Sequence, residues 1–116
     1  MTVPNRKKPA APPHLEAATR AWWSQAVADY QFEPHHLRLL TLAGEAWDRG
    51  QAARAAIATL GLTFDDRFGA PHARPEVAIE RDSRLSFARL LRELDLDVDP
   101  PAQAARGPGL RANRRA

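Results

Sequence analysis

The sequence predicts an all-α domain: a long antiparallel helical hairpin, a short β-hairpin or loop, then a third amphipathic helix, set between disordered basic tails. Three observations carry this. Apolar residues recur at helical spacing in three stretches, 15–30, 34–60 and 75–94. Pro34 and Pro75 stand where helices open, and Gly61 stands where one closes. All 14 acidic residues lie between Glu16 and Asp99, which leaves both ends of the chain cationic.

The first helix is expected from about Leu15 to Tyr30. On a helical wheel Leu15, Ala18, Trp22, Trp23, Ala26, Val27 and Tyr30 fill roughly half the circumference. Trp22 and Trp23 diverge by about 100°, so one packs inside and the other sits at the edge or against a neighbouring chain.

A short link, Gln31-Phe32-Glu33, leads to Pro34, whose missing N–H costs nothing in a first helical turn. The second helix then runs to about Leu60, with Gly61 as a left-handed cap. Its apolar arc includes Leu39, Leu40, Leu42, Ala43, Ala46, Trp47, Gly50, Ala53, Ile57 and Leu60, and spans about 160°. That is wider than one partner helix needs. Ala43, Ala46, Gly50 and Ala53 form a small-residue strip along which another helix can approach. Gly50 costs about 1 kcal/mol relative to alanine, for which close packing is a reason. With so short a link the two helices should pair antiparallel.

Residues 62–71 place apolar and β-branched side chains around an Asp/Gly turn, with Gly69 at the expected positive φ. A two-stranded hairpin is weak alone and should lean on the helices or on another subunit. Pro75 opens the third helix, which runs to about Leu94. Its inner face is Ile79, Ser83, Phe87, Leu90, Leu91 and Leu94. Arg81, Arg84, Arg89 and Arg92 share the opposite face within about 140°. Glu80–Arg84 and Arg89–Glu93 have the spacing of i,i+4 pairs. This arginine face has two readings: a solvated, salt-bridged surface, or a strip for phosphates or a second subunit.

Three parts follow: a basic arm (1–13), a helical core (14–98) and a Pro/Arg-rich tail (99–116). Residues 1–13 hold three cations, residues 100–116 hold four arginines, and neither segment has an anion. Low in large apolar side chains, both are expected to be disordered. They serve either as solubilising tails or as arms for nucleic acid or an acidic partner. The core is small enough that oligomerisation would help it.

Chemistry is sparse. The chain has no cysteine, which removes disulfides, thiolate metal sites and thiol nucleophiles. His35 and His36 are adjacent and diverge on a helix, and His14 and His72 lie in or beside proline-rich loops with no carboxylate at ligand spacing. Asp65-Asp66 could bind a hard cation, but two carboxylates in a turn are more often turn chemistry. No phosphate loop or Ser–His–Asp arrangement can be argued, so no enzyme, cofactor or metal is expected. The longest uncharged stretch, Ala55 to Phe64, is ten residues, too short to span a bilayer. No apolar run follows the N-terminal cations, so no signal peptide is expected.

The stretch from Leu15 to Val98 resembles the P27-type terminase small-subunit family of tailed phages. The resemblance rests on order and spacing. An aromatic-bearing first helix (Trp22, Trp23, Tyr30) leads to a long second helix with Glu45-Ala46-Trp47 midway. Gly61-Leu62-Thr63-Phe64 precedes an Arg67-Phe68-Gly69 turn and Pro75. Ala78-Ile79-Glu80-Arg81-Asp82 then leads to Leu90-Leu91-Arg92-Glu93-Leu94-Asp95-Leu96. The resemblance implies a non-enzymatic helical protein that assembles as a ring homo-oligomer in the host cytoplasm. Such a ring engages double-stranded viral DNA and recruits and regulates the large terminase subunit, an ATPase and nuclease, during genome packaging. No DNA-reading motif carries over residue by residue.

The expected DNA contacts are therefore read from charge: Arg6, Lys7, Lys8, Arg81, Arg84, Arg89, Arg92, Arg106, Arg111, Arg114 and Arg115. The expected oligomer interface is Trp22, Trp23, Leu39, Ala43, Ala46, Trp47, Gly50 and Ala53. The alternatives are a helical structural or adaptor protein whose tails bind an acidic partner, and a dimeric helical DNA-binding regulator.

Overall fold

The computed structural model describes residues 8–96. The chain is mostly helical: α1 (Ala17–Asp29), α2 (Pro34–Leu60), β1 (Thr63–Asp65), β2 (Pro71–Ala73) and α3 (Pro75–Glu93). No helix among the described residues is long and apolar enough to cross a membrane.

α1 starts two residues later than the apolar pattern suggests. Leu15 closes a turn on the Pro12 carbonyl (3.3 Å) and is buried ahead of the helix. The N-cap residue, Glu16, makes no side-chain capping bond. Asp48 of α2 does that work instead: its carboxylate accepts the Glu16 N–H (2.9 Å) and the Thr19 hydroxyl (2.5 Å). A carboxylate at a helix N-terminus also faces the positive end of the helix dipole. Arg20 donates to the Leu15 carbonyl, holding the same turn.

α2 occupies the range that Pro34 and Gly61 demarcate, and Gly61 has φ +90°. Its N-terminus is a reciprocal cap. The Glu33 side chain accepts from the His36 backbone, and Glu33 N–H donates to His36 Nδ1 (3.1 Å). That acceptor role requires a ring nitrogen without a proton. Burial, and then the charge of His35, hold the His36 pKa below its usual value, with Glu33 opposing them.

α3 lies antiparallel to α2. Arg54 faces Glu80 (3.1 Å), Gly50 faces Ser83, and Trp47 faces Phe87 with ring centroids 5.1 Å apart. α1 covers only the other half of α2, where Thr19 meets Asp48 and Trp23 Nε1 donates to Thr41 (3.2 Å). The long pair is therefore α2 with α3, not α1 with α2. The reason is length: α1 has 13 residues, α2 27 and α3 19.

This mismatch divides the molecule. At the three-helix end Leu15, Trp23, Ala26, Val27, Leu40 and Leu94 form the buried core. At the other end α2 and α3 continue as a two-helix arm that carries the hairpin. Ile79, expected on the inner face of α3, lies on this arm and is 41% exposed because, among the described residues, no third helix covers it there. Phe87, Leu90 and Leu91 are half-buried, and Ser83 and Leu94 are buried.

The hairpin pairs Thr63 with Ala73, Phe64 with His72 and Asp65 with Pro71. Asp66 organises its tip, accepting from the backbone N–H of Phe68 (2.8 Å) and Ala70 (3.0 Å) and pairing with His72 Nε2 (2.8 Å). These contacts, His72 first, hold the Asp66 carboxyl below the usual carboxylate range. Gly69 adopts φ +83°, as the turn requires. Every residue from Gly61 to Ala73 except Asp66 is exposed, so the hairpin does not lean on its own helices.

Candidate functional site

Two surfaces follow from the architecture: an apolar one around the arm and the aromatic α1/α2/α3 junction, and a cationic one on α3. The small-residue strip belongs to neither. Ala43, Ala46, Gly50 and Ala53 are buried, as is Trp23. The close approach that the strip favours takes place, but within the chain. A Cβ added to Gly50 would stand 3.3 Å from Ser83 Cβ, and one added to Gly44 would stand 3.1 Å from Thr19 Cγ2. These five interface candidates are thus buried within the single chain. Small size at helical spacing signals a close neighbour but does not say whose helix it is.

The remaining interface candidates stay accessible in part. Trp22 and Leu39 are half-buried, and Trp47 is 46% exposed. Trp22 and Trp47 both lean on Phe87, with centroids 5.8 and 5.1 Å away. The three rings, with Ala18 and Thr19, line an apolar pocket of about 320 Å³. Beyond it the arm exposes Leu60, Leu62, Phe64, Phe68 and Ile79. Sequence reasoning left out Phe68, although an aromatic at a turn tip beside glycine is itself a signal, since turns rarely need one.

On α3, Arg81, Arg84, Arg89 and Arg92 are all exposed. Arg84 is engaged: its Nε bonds Glu80 (3.1 Å), which also receives Arg54 from α2, and both cations hold the Glu80 pKa down. Arg81 pairs with the adjacent Asp82 (3.2 Å). Arg89 and Glu93 do not meet, so the second of the expected i,i+4 pairs is not formed. Leu85, 56% exposed, lies on the same face, about 40° around the helix from Arg81. The strip is therefore an amphipathic surface in which arginines flank a leucine.

Lys8 directs its ammonium at the Val27 carbonyl (3.2 Å), near the C-terminal end of α1, where a cation complements the dipole. Ala11 packs against the core and Pro12 is half-buried. Within residues 8–13, Lys8, Ala11 and Pro12 thus touch the domain, whereas Pro9, Ala10 and Pro13 are exposed. The prolines of this segment fix the backbone, lowering the entropy cost of docking. Arg6, Lys7, Arg106, Arg111, Arg114 and Arg115 lie outside the described residues.

The histidines differ from expectation in two respects. His14 and His72 each have a carboxylate partner: Glu45, reached from 31 residues away (2.7 Å), and Asp66, across the hairpin turn. His35 and His36 do not simply diverge; their ring centroids lie 4.1 Å apart. Among the described residues no three His, Asp or Glu side chains gather as a metal-binding group.

Compared with protein-family models, curated proteins and solved structures, the chain finds no match.

Proposed function

We propose that this protein is a small terminase subunit of a tailed phage or prophage. It is a non-enzymatic ring that engages double-stranded viral DNA and recruits and regulates the large terminase subunit in the host cytoplasm. The observation that carries the reading is the uncovered arm. Leu60, Leu62, Phe64, Phe68 and Ile79 stand open at the end of a helix pair that, among the described residues, has no third helix behind it. Exposed apolar residues gathered in one region mark an association surface. A hairpin this small gains stability from a neighbour.

The succession helix, long helix, hairpin, helix follows the order on which the family resemblance rests. Cationic tails and the α3 arginines supply the DNA-facing charge, which a ring multiplies. Phosphate contacts of this kind release counterions, so affinity for duplex DNA should fall steeply as salt rises. Binding measured between about 50 and 200 mM salt tests this. The expected log–log plot is strongly negative and nearly independent of DNA sequence. A flat plot, or no binding at low salt, refutes the DNA-engaging role.

A further inference from the structure

We propose that the hairpin tip of one copy, Phe68 with Arg67, seats in the Trp22–Trp47–Phe87 pocket of the next copy, and that this contact, repeated, closes the ring. The inference rests on the self-assembly reading above and specifies its interface.

Plug and socket are both built. Phe68 is 81% exposed at a tip held by the Asp66 carboxylate, so an aromatic ring is presented to solvent on an ordered turn. The Arg67 guanidinium lies 5.0 Å above that ring and, among the described residues, pairs with no carboxylate. The pocket, about 320 Å³, is walled by three aromatic rings and two small side chains, a space of the size and chemistry for one more ring. At its Thr19 edge stands Asp48, which accepts hydrogen bonds from Glu16 and Thr19 but has no ion-pair partner among the described residues. Seating the plug would thus bring a cation without an ion-pair partner beside a carboxylate that caps α1 through hydrogen bonds but holds no counter-charge among the described residues.

Geometry excludes the chain's own plug. Trp47 lies 13 residues before the end of α2, about 20 Å along the helix from the hairpin base. That base is closed by Arg74 N–H on the Leu62 carbonyl (2.9 Å), and folding back would bury Leu62 and Phe64, which stand open. Residues 97–116 contain no aromatic side chain, so they match an aromatic socket poorly. A plug and socket at separate places on one chain make a heterologous contact, the kind that generates rings when its rotation closes.

The test combines a truncation with a cross-link. Phe68→Ser removes the plug from an exposed position, so the melting curve of the isolated chain should not change. Self-association should weaken about thirty-fold per contact, the loss expected for one buried aromatic side chain. The chain has no cysteine, so Phe68→Cys and Ala18→Cys chains of different mass can be mixed and oxidised. A mixed disulfide is expected, because Ala18 lines the pocket.

If the wild type assembles, Phe68→Ser assembles equally tightly and no mixed disulfide forms, the plug is wrong while the ring reading stands. Assembly that survives Phe68→Ser but fails on deletion of 97–116 gives the socket to the tail and also overturns the inference. A wild type that stays monomeric at every concentration removes the ring reading and this contact together.

Discussion

Replacing Gly44 by alanine sets two effects of known size against each other. Alanine is worth about 1 kcal/mol over glycine inside a helix. The added Cβ, however, would stand 3.1 Å from Thr19 Cγ2 and 3.2 and 3.4 Å from the two Leu15 methyl carbons. Neither neighbour can yield. Leu15 is fully enclosed, and the Thr19 hydroxyl is tied to Asp48. Overpacking of this kind costs about 1–3 kcal/mol, and three simultaneous contacts place it in the upper part of that range. The net expectation is a loss of about 1–2 kcal/mol.

Gly50 is the control on the same helix. There a Cβ meets one atom, Ser83 Cβ at 3.3 Å, on a helix that has no third layer behind it among the described residues. α3 can move by a few tenths of an ångström, so Gly50→Ala should be neutral or stabilising by up to about 1 kcal/mol. Urea unfolding of both variants at one protein concentration reads the difference directly, since association would otherwise shift apparent stability. If Gly44→Ala matches or exceeds the wild type, or Gly50→Ala proves the more damaging, the account of how α1 docks on α2 is wrong.

Other expectations follow from the same division of the molecule. Leu94 is 0% exposed at the three-helix end, and Leu94→Ala should cost about 2–5 kcal/mol by chemical denaturation; a loss below about 1 kcal/mol would mean that α3 does not complete the core. His36 accepts the Glu33 N–H and has its pKa depressed from 6.5, so the unfolded chain takes up its proton first. Its contribution to stability is therefore complete above about pH 6.5 and is lost as pH falls through the folded-state pKa. His36→Gln keeps an acceptor at the capping-box position without titrating, so its thermal midpoint should depend less on pH below 6.5 than that of the wild type. Equal pH dependence in the two proteins would remove His36 from the acid response.

Much of the fold is legible in the residues, for local reasons. Pro34 and Gly61 delimit α2 because one lacks an N–H and the other accepts φ +90°. Asp66 and Gly69 specify a turn through short-range hydrogen bonding and positive φ. What the sequence does not convey is tertiary choice. Asp48 caps α1 from about 30 residues away, and nothing in the local pattern around Glu16 announces it. The Ala43–Ala53 strip is equally suited to a helix of its own chain or of another, and only the placement of α3 decides between them.

The candidate site was legible in part for a similar reason. Trp22 and Trp47 are recognisable as aromatics on apolar arcs, whereas Phe87 reads as an inner-face residue of α3. Only the fold joins the three around one pocket. The arginine face of α3 is present, but Glu80 already holds Arg84, which wheel geometry foresees at i,i+4.

Oligomeric state tests the central claim most directly. Light scattering on the purified full chain, across a range of concentrations, should give one closed assembly of many copies whose mass does not grow further. A monomer or dimer at every concentration would contradict the account.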